Sequence, residues 1–314
     1  MIIRFRTAIL SGLLFFISIL FVQGQSVQPF HPELFSRFVS VRDLTISSDG
    51  NEMYFTGQSL LGELSVIMRA TPNKPESDTV SVASFSGVWS DMEPFLTADG
   101  LRLYFVSNRP ASPDSSNAKD FDIWYVERNN VHDEWGNPNC LGSPVNTSAD
   151  EFYPVVTKSN NLYFTSDREG TTGKDDIFCA RWQDGRYISA QPVPGAANSE
   201  GYEFNAWVAP DESYMIYTCY NRAGGLGSGD LYISRNKQGN WTAPENFGTN
   251  INSRQMDYCP FVLNEVLFFT SKRSNVKTGF ENKPGLSQVL SELNKYDNGL
   301  SRIYSVRFSG MRSE

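Results

Sequence analysis

Four carboxylates recur along the chain, each three residues before a proline or an alanine: Asp91, Glu151, Glu203 and Asp257. If the copies surround a central channel, a ring of such acids at its mouth would attract a cation or a basic ligand. In the structural alternative, each acid accepts hydrogen bonds from loop N–H groups or pairs with an arginine of its own repeat. Regular recurrence favours the structural alternative, because a catalytic site requires one repeat to differ. The second repeat does differ, since it carries the additional acid Glu93.

Four arginines recur in step with these acids: Arg109, Arg168, Arg222 and Arg273. We interpret them first as structural bridges to the acids and second as ligand clamps. Trp207 lies within a predicted innermost strand, where an exposed indole could stack on a sugar or a peptide; core packing is the interpretation we favour. The five acids, the four arginines and Trp207 are the candidate ligand- or partner-binding residues at the channel mouth.

Signatures of common enzyme mechanisms are scarce. The chain has two histidines and no G-x-S-x-G nucleophile elbow. The glycine-rich run 224–229 joins two predicted strands and opens no helix, so it does not match a phosphate-binding loop. Asp114, Asp120 and Asp122 could bind calcium, although the EF-hand spacing is absent. We therefore assign no catalytic residue and predict no cofactor, with a bound cation such as calcium as the alternative.

The composition indicates a globular β protein. Of the 314 residues, 40% are hydrophobic, 20% are charged and 13% are aromatic, which excludes a disordered chain, a collagen and a coiled coil. Many aromatic residues, separated at regular intervals by the turn-forming residues Gly, Asp and Asn, favour β-strands. The formal net charge of −8 argues against nucleic acid as a partner, because phosphate binding needs a basic surface.

A repeat of about 50 residues positions the candidate residues. Its anchor is a turn followed by a short aromatic strand, as in Asp49-Gly50 before Met53-Tyr54-Phe55. The other turns are Asp99-Gly100, Asn160-Asn161, Asp211-Glu212 and Asn264-Glu265, at intervals of 50, 61, 51 and 53 residues. An all-β period of this length indicates radial repetition into a propeller.

Further matched parts follow each aromatic strand. Ser-x-Arg comes next in three copies, at 107–109, 166–168 and 271–273, and a third strand then begins with Asp-Ile-Trp at 122–124, Asp-Ile-Phe at 176–178 or Asp-Leu-Tyr at 230–232. This pattern resembles the PD40 or WD40-like β-propeller repeat, known from the TolB propeller, over about residues 40–310. The resemblance implies an all-β propeller of four-stranded blades and an envelope-associated partner. Copy one lacks the Ser-x-Arg, so we expect its blade to be irregular.

Five copies predict five blades, at about residues 40–88, 89–148, 149–200, 201–254 and 255–310 of a single domain 25–314. The fifth copy ends without a fourth strand, and residues 30–41 are expected to supply it and close the ring, because an open sheet edge is a liability. A six-bladed ring with one split blade is the alternative. The insertion 278–300 is expected to form a short surface helix, with Leu286, Val289, Leu290 and Leu293 on one face.

The N-terminus has the layout of a secretory signal peptide over residues 1–24. Arg4 and Arg6 precede an apolar run over residues 8–22, which is shorter than the roughly 20 residues that span a bilayer. The alternative is an N-terminal membrane anchor. We expect export to the periplasm or cell envelope of a Gram-negative type of cell, and no membrane-spanning segment after cleavage. Four cysteines about 40 residues apart either form disulfides or are small buried side chains.

These observations predict a non-catalytic, exported β-propeller that binds through its loop face. The expected partner is an envelope or periplasmic protein, or a glycan or peptide ligand. The alternative is a carbohydrate-binding or glycoside-cleaving propeller, because five-bladed glycosidases use acids around the central cavity. Paired carboxylates under a broad polar loop surface favour the first function. Exposed aromatics beside two carboxylates in one deep pocket favour the second.

Overall fold

Five antiparallel sheets, each with four strand positions, surround a common axis in the computed structural model and form a β-propeller. The structure describes residues 26–72, 80–111 and 117–308. The all-β prediction and the prediction of five blades are both confirmed. The predicted signal peptide lies outside the described residues.

From the axis outwards, the strands follow chain order in blades 1 to 4, whereas in blade 5 the N-terminal strand β1 takes the outermost position. Blades 1 and 2 consist of β2 (Ser40–Ile46), β3 (Met53–Gln58), β4 (Ser65–Ala70) and β5 (Ser81–Val82), then β6 (Asp91–Leu96), β7 (Arg102–Ser107), β8 (Asp122–Glu127) and β9 (Asn139–Cys140). Blades 3 and 4 consist of β10 (Glu151–Val156), β11 (Leu162–Ser166), β12 (Asp176–Gln183) and β13 (Arg186–Pro192), then β14 (Tyr202–Val208), β15 (Tyr214–Tyr220), β16 (Gly229–Lys237), β17 (Asn240–Trp241) and β18 (Glu245–Asn246). Blade 5 consists of β19 (Asp257–Leu263), β20 (Val266–Ser271), β21 (Arg302–Arg307) and β1 (Gln28–Pro29).

The turn between the first two strands of a blade sets their register. Gly50 and Gly100 have φ angles of 72° and 71°, a left-handed backbone that glycine adopts without a steric cost. Asp49 and Asp99 each accept a hydrogen bond from the backbone N–H two residues later. We call the face that carries these turns the lower face. Inner strands begin at the opposite, upper face, which also carries the loops between second and third strands.

The aromatic strand of each copy packs against both neighbouring blades. Tyr54 lies in one core cluster with Phe105 of the next blade, and Tyr104 lies in another with Phe164 of the blade after that. All four side chains are buried. Period-two alternation therefore fills two inter-blade cores from one strand, and each fully buried large side chain contributes about 1.5–3 kcal/mol. This packing accounts for the aromatic strand that anchors each copy of the repeat.

The N-terminal segment closes the ring. Strand β1 pairs with β21 and becomes the outer strand of blade 5. The closing strand lies just before the predicted segment 30–41, which instead forms α1 (Pro32–Phe35) and enters β2. Phe30 packs against Phe268 of blade 5, with ring centroids 4.9 Å apart, and Phe35 packs against Phe55 of blade 1 at 5.0 Å. The segment thus joins the last blade to the first.

The insertion in blade 5 forms the predicted surface helix, α2 (Leu286–Leu293). Its apolar face is open to solvent, since Leu286, Leu290 and Leu293 are 74%, 45% and 58% exposed. Across the described ranges, we find no helix with the length and apolarity needed to cross a membrane.

Ring closure makes a testable contribution to stability. Leu34 of α1 is fully buried in the cluster between blades 5 and 1, so Leu34→Ala should lower the free energy of unfolding by about 2–5 kcal/mol. Val39→Ala is the matched control, because Val39 is 53% exposed, and should change it by less than about 0.5 kcal/mol. Equal effects in denaturant titration would contradict a closing role for α1.

Candidate functional site

Every recurring acid at the start of an inner strand pairs with the arginine of its own blade. The N···O distances are 2.7 Å for Asp91–Arg109, 2.9 Å for Glu151–Arg168, 3.2 Å for Glu203–Arg222 and 3.0 Å for Asp257–Arg273. The four carboxylates are buried. In three blades the arginine backbone N–H and Nε also donate to the serine of Ser-x-Arg, as Arg109 does to Ser107.

The arginines also stack on the aromatic residues of the repeat. Arg109 lies 4.9 Å from the ring centroid of Phe105 and 5.5 Å from that of Trp124. Arg168 and Arg273 lie between the equivalent pairs of rings in blades 3 and 5. A buried ion pair is retained where hydrogen bonds and π contacts compensate for its desolvation. The acid, the aromatic strand, Ser-x-Arg and the third strand therefore converge on one structural unit.

Blade 1 replaces this unit with apolar packing. Val41 stands where the other blades have the acid, and Gly57 stands where three of them have the serine. Phe38 packs on Phe55, with centroids 5.3 Å apart, on the ring equivalent to the one that Arg109 covers. The blade is a regular four-stranded sheet, so the expectation of an irregular first blade was wrong. Aromatic carbon takes over the contact that arginine makes elsewhere.

The aspartates that begin the third strands serve their loops. Asp176 accepts a hydrogen bond from the backbone N–H of Thr172, and Asp230 accepts one from Leu226. Asp122 instead pairs with Lys119 at 2.7 Å. Asp114 lies outside the described residues. Among the residues that are described, no group of three or more His, Cys, Asp or Glu side chains could hold a metal ion. All four cysteines are free thiols.

A bulge recurs in all five inner strands. Two residues of the inner strand face one residue of its neighbour, between Arg42 and Thr45 in blade 1 and at the same register in the other blades. The first residue of each bulge has a left-handed backbone, with φ between 51° and 61°: Asp43, Glu93, Tyr153, Asn205 and Cys259. Non-glycine residues rarely adopt this conformation, so its repetition marks a constraint at the axis.

The five bulge residues form what we call the axial cluster, and with Arg42 they bond across all blades. Arg42 donates from Nε to Asp43 at 2.8 Å and from Nη2 to Glu93 at 2.5 Å. Asn205 donates from Nδ2 to Glu93 at 3.3 Å, and Cys259 Sγ–H donates to the Asn205 side-chain oxygen at 3.4 Å. Asp43 and Glu93 are 1% and 3% exposed. A polar network therefore fills the axis at this level.

Glu93 replaces a hydroxyl that the neighbouring blades supply. The bulge N–H of Glu93 donates to Thr56 Oγ1 of the preceding blade, and the bulge N–H of Asn205 donates to Thr165 Oγ1, each at 3.1 Å. Val106 occupies the equivalent position in blade 2. The bulge N–H of Tyr153 donates to Glu93 Oε2 instead, at 2.6 Å. The extra acid of the second copy thus satisfies a buried N–H that Val106 cannot.

Burial raises the pKa of Glu93 to about 7, and the negative charge of Asp43 adds to the rise while Arg42 opposes it. For Arg42, burial lowers the pKa, but the negative charges of Asp43 and Glu93 outweigh this effect and the pKa rises well above its usual value. The axial network accordingly keeps Arg42 charged at every pH of interest.

A cavity of about 360 Å³ opens above the axial cluster between blades 1 and 5. Arg42 and Tyr258 form part of its wall, with the guanidinium carbon 5.3 Å from the tyrosine ring centroid. Ser40, Gln58 and Lys272 contribute further polar groups, and Leu60, Leu61 and Met256 contribute apolar surface. We call this the upper cavity. It is reached from the same face as the loops between second and third strands.

A second cavity of about 360 Å³ lies at the lower face and is mainly apolar. Phe95, Trp207 and Phe261 line it together with aliphatic side chains from other blades. Trp207 is 6% exposed, and its ring also packs against Tyr214 at 5.8 Å between centroids. The structure therefore separates Trp207 from Glu93, which lies in the axial cluster, and both from the four buried acid–arginine pairs.

Most residues of the axial cluster could not be identified from the sequence. Glu93 stands out as an extra acid, but Asp43 lies in the copy that lacks the first acid, so only its position before the Asp-Gly turn aligns it with Glu93. Tyr153, Asn205 and Cys259 share no chemistry with either. The available signal is positional, because all five residues precede a proline, an alanine or a leucine at the same place in each copy.

Comparison with known proteins supports the fold. No protein-family model and no curated protein sequence matches the chain. Among solved structures, it is similar to a glycoside hydrolase (TM-score 0.52, 10% identity, 88% of this chain and 89% of that chain). It is also similar to the catalytic domain of the Coprinopsis cinerea GH62 α-L-arabinofuranosidase (TM-score 0.52, 10% identity, 93% of this chain and 98% of that chain). It spans 36% of the matched chain of Kuenenia stuttgartiensis hydrazine synthase, covering 76% of this chain (TM-score 0.49, 13% identity).

A double-mutant cycle can test whether the Glu93 carboxylate compensates for the hydroxyl that Val106 lacks. Glu93→Ala removes the acceptor of the Tyr153 N–H, and Val106→Thr offers a hydroxyl at the position of Thr56 in blade 1. The two changes should therefore couple, with Val106→Thr recovering on the order of 1 kcal/mol of unfolding free energy only when Glu93 is absent.

Val126→Thr is the control for this cycle, because Val126 is equally buried in blade 2 but packs in the core cluster shared with blade 1. It should be destabilising with or without Glu93. Additive effects of Glu93→Ala and Val106→Thr, within the error of chemical denaturation, would show that the carboxylate does not replace a hydroxyl.

Proposed function

We propose that the protein is a carbohydrate-binding β-propeller whose binding site is the upper cavity. The observation that carries this proposal is the cavity wall itself, which combines hydrogen-bonding side chains with apolar carbon beside the axial cluster. Its volume of about 360 Å³ lies within the range of small-molecule sites. Ser40 and Gln58 suit sugar hydroxyls, and Leu60 and Met256 suit the carbon face of a sugar ring.

The proposal is binding and does not extend to cleavage. Glycoside hydrolysis by two carboxylates requires both groups to reach the glycosidic bond or the attacking water. Asp43 and Glu93, the two acids that bind Arg42 of the cavity wall, are almost fully buried, and both accept hydrogen bonds from Arg42. Arg42 separates them from a ligand in the cavity. We therefore expect bound sugar to be recovered intact.

The fold similarity is consistent with this proposal. Two solved structures that share the fold along most of both chains are a glycoside hydrolase and an α-L-arabinofuranosidase. Their sequence identity to this chain is 10%, so the similarity only suggests carbohydrate as the class of ligand. Support for binding comes from the residues of the cavity.

We also propose that the protein works outside the cytoplasm. The support is the layout of residues 1–24 and the resemblance of the repeat to the PD40 propeller of TolB. Detection of the mature protein in a periplasmic or envelope fraction, with an N-terminus near residue 25 by mass spectrometry, tests both the export and the cleavage.

Carbohydrate binding should be lost when the cavity wall is changed. A glycan array with the purified chain identifies ligands, and isothermal titration calorimetry then measures affinity. Leu60→Ala removes apolar wall from the upper cavity and should weaken binding by about three- to tenfold. Leu64→Ala is the control, because Leu64 is 59% exposed in the same loop and does not line the cavity. No hit on the array, or equal loss in both variants, would overturn the proposed site.

A second candidate function is protein binding through the upper face. Of fifteen exposed large hydrophobic side chains among the described residues, twelve lie in upper-face loops or at strand ends on that face. They are Val39, Leu60, Leu61, Leu64, Val88, Tyr202, Tyr220, Leu226, Phe280, Leu286, Leu290 and Leu293. Such concentration of apolar surface on one face is typical of an interaction surface.

Helix α2 allows this second function to be tested. Leu286→Glu combined with Leu290→Glu places charge on its apolar face, and Ser287→Glu combined with Ser291→Glu places the same charge on its other side. Crosslinked partners from an envelope fraction, identified by mass spectrometry, should disappear only with the leucine variant. A partner that both variants retain, or no specific partner with the unchanged protein, would contradict binding through α2.

A further inference from the structure

Among the described residues that line it, the upper cavity has two cationic side chains and no carboxylate. Arg42 comes from the inner strand of blade 1, and Lys272 directly follows β20 of blade 5. Asp43 and Glu93 lie behind Arg42, outside the cavity wall. Most carbohydrate ligands are neutral, so a wall with this charge calls for a more specific ligand class.

Arg42 is held in place by two of its nitrogens, and its third nitrogen can still donate a hydrogen bond. Its Nε and Nη2 atoms donate to Asp43 and Glu93, while no protein partner of Nη1 exists within the described residues. The side chain is 18% exposed. An arginine fixed through two of its nitrogens loses little conformational entropy when the third binds a ligand.

Lys272 supplies the second cation. It is exposed, and its backbone N–H is fixed by a hydrogen bond to the Met256 carbonyl oxygen at 2.8 Å. Its ammonium group makes no ion pair or hydrogen bond with any part of the chain that the structure describes. The two cations lie on neighbouring blades, and no described side chain of the cavity wall is anionic.

We propose that the upper cavity binds a carboxylate-bearing sugar, such as a hexuronic acid, with its carboxylate held between Arg42 and Lys272. This inference rests on the proposed carbohydrate function and narrows its ligand class. One carboxylate has two oxygens that two separate cationic donors can bind, and charge-assisted hydrogen bonds are stronger than neutral ones. The ring hydroxyls then face Ser40 and Gln58.

Calorimetry with three probes tests the inference on the purified chain at low salt. The probes are a galacturonic acid disaccharide, the matched galactose disaccharide, and tartrate as a carboxylate that is not a sugar. The acidic disaccharide should bind about tenfold or more tightly than the neutral one. Lys272→Met should remove most of that preference, and Lys272→Arg should restore it. Lys174→Met is the control, because Lys174 is exposed in an upper-face loop of blade 3 and does not line the cavity.

The outcomes separate the two proposals. Equal affinity for acidic and neutral disaccharides, or a preference that survives Lys272→Met, would overturn the acidic ligand and leave carbohydrate binding in place. Binding of tartrate as tight as that of the acidic disaccharide would overturn the carbohydrate function and leave an anion site. Binding of none of the probes, in a variant series that melts like the unchanged protein, would overturn both.

Discussion

The satisfaction of buried backbone N–H groups around the axis is the constraint on which this propeller depends. Each inner strand bulges at the same place, and the bulge turns one N–H away from its own sheet. Where that N–H meets a threonine of the preceding blade, as Glu93 meets Thr56 and Asn205 meets Thr165, neighbouring blades are joined in register. These groups are buried, so a blade that lacks the threonine, as blade 2 does at Val106, needs a replacement acceptor.

The blade architecture could be predicted because its signals are local and repeat in sequence. The aromatic strand and Ser-x-Arg recur because blades 2, 3 and 5 each place one arginine between two rings and pair it with one acid. Arg109 shows all of these contacts at once, with Asp91, Ser107 and Phe105. Blade 1 fits the ring without the motif because Phe38 covers the Phe55 ring, as the arginine covers the equivalent ring in other blades, and an apolar side chain needs no acid to pair with.

The candidate site could not be predicted in the same way, because its residues are brought together by ring closure and share no chemistry. Asp43, Tyr153 and Cys259 occupy equivalent positions with unrelated side chains. Glu93 could be identified as an extra acid, but its role depends on Val106 in a different strand. Valine is an ordinary residue in a buried strand, so the sequence does not show that a hydroxyl is missing there. Lys272 reaches the upper cavity because β19 and β20 of blade 5 lie beside β2 of blade 1.

Arg42 connects the two levels of the structure. Its inner side neutralises acids whose burial would otherwise be costly, and its outer side lines the upper cavity. The rigidity of the axial cluster is therefore also the preorganisation of the cavity, because the guanidinium cannot turn towards a ligand without leaving Asp43 and Glu93 unpaired. A propeller that closes its axis with a charged network in this way holds one guanidinium group in a fixed position beside the upper cavity. In the proposed function, ligand selection depends on loop residues such as Leu60 and Lys272, which can change without altering the blades.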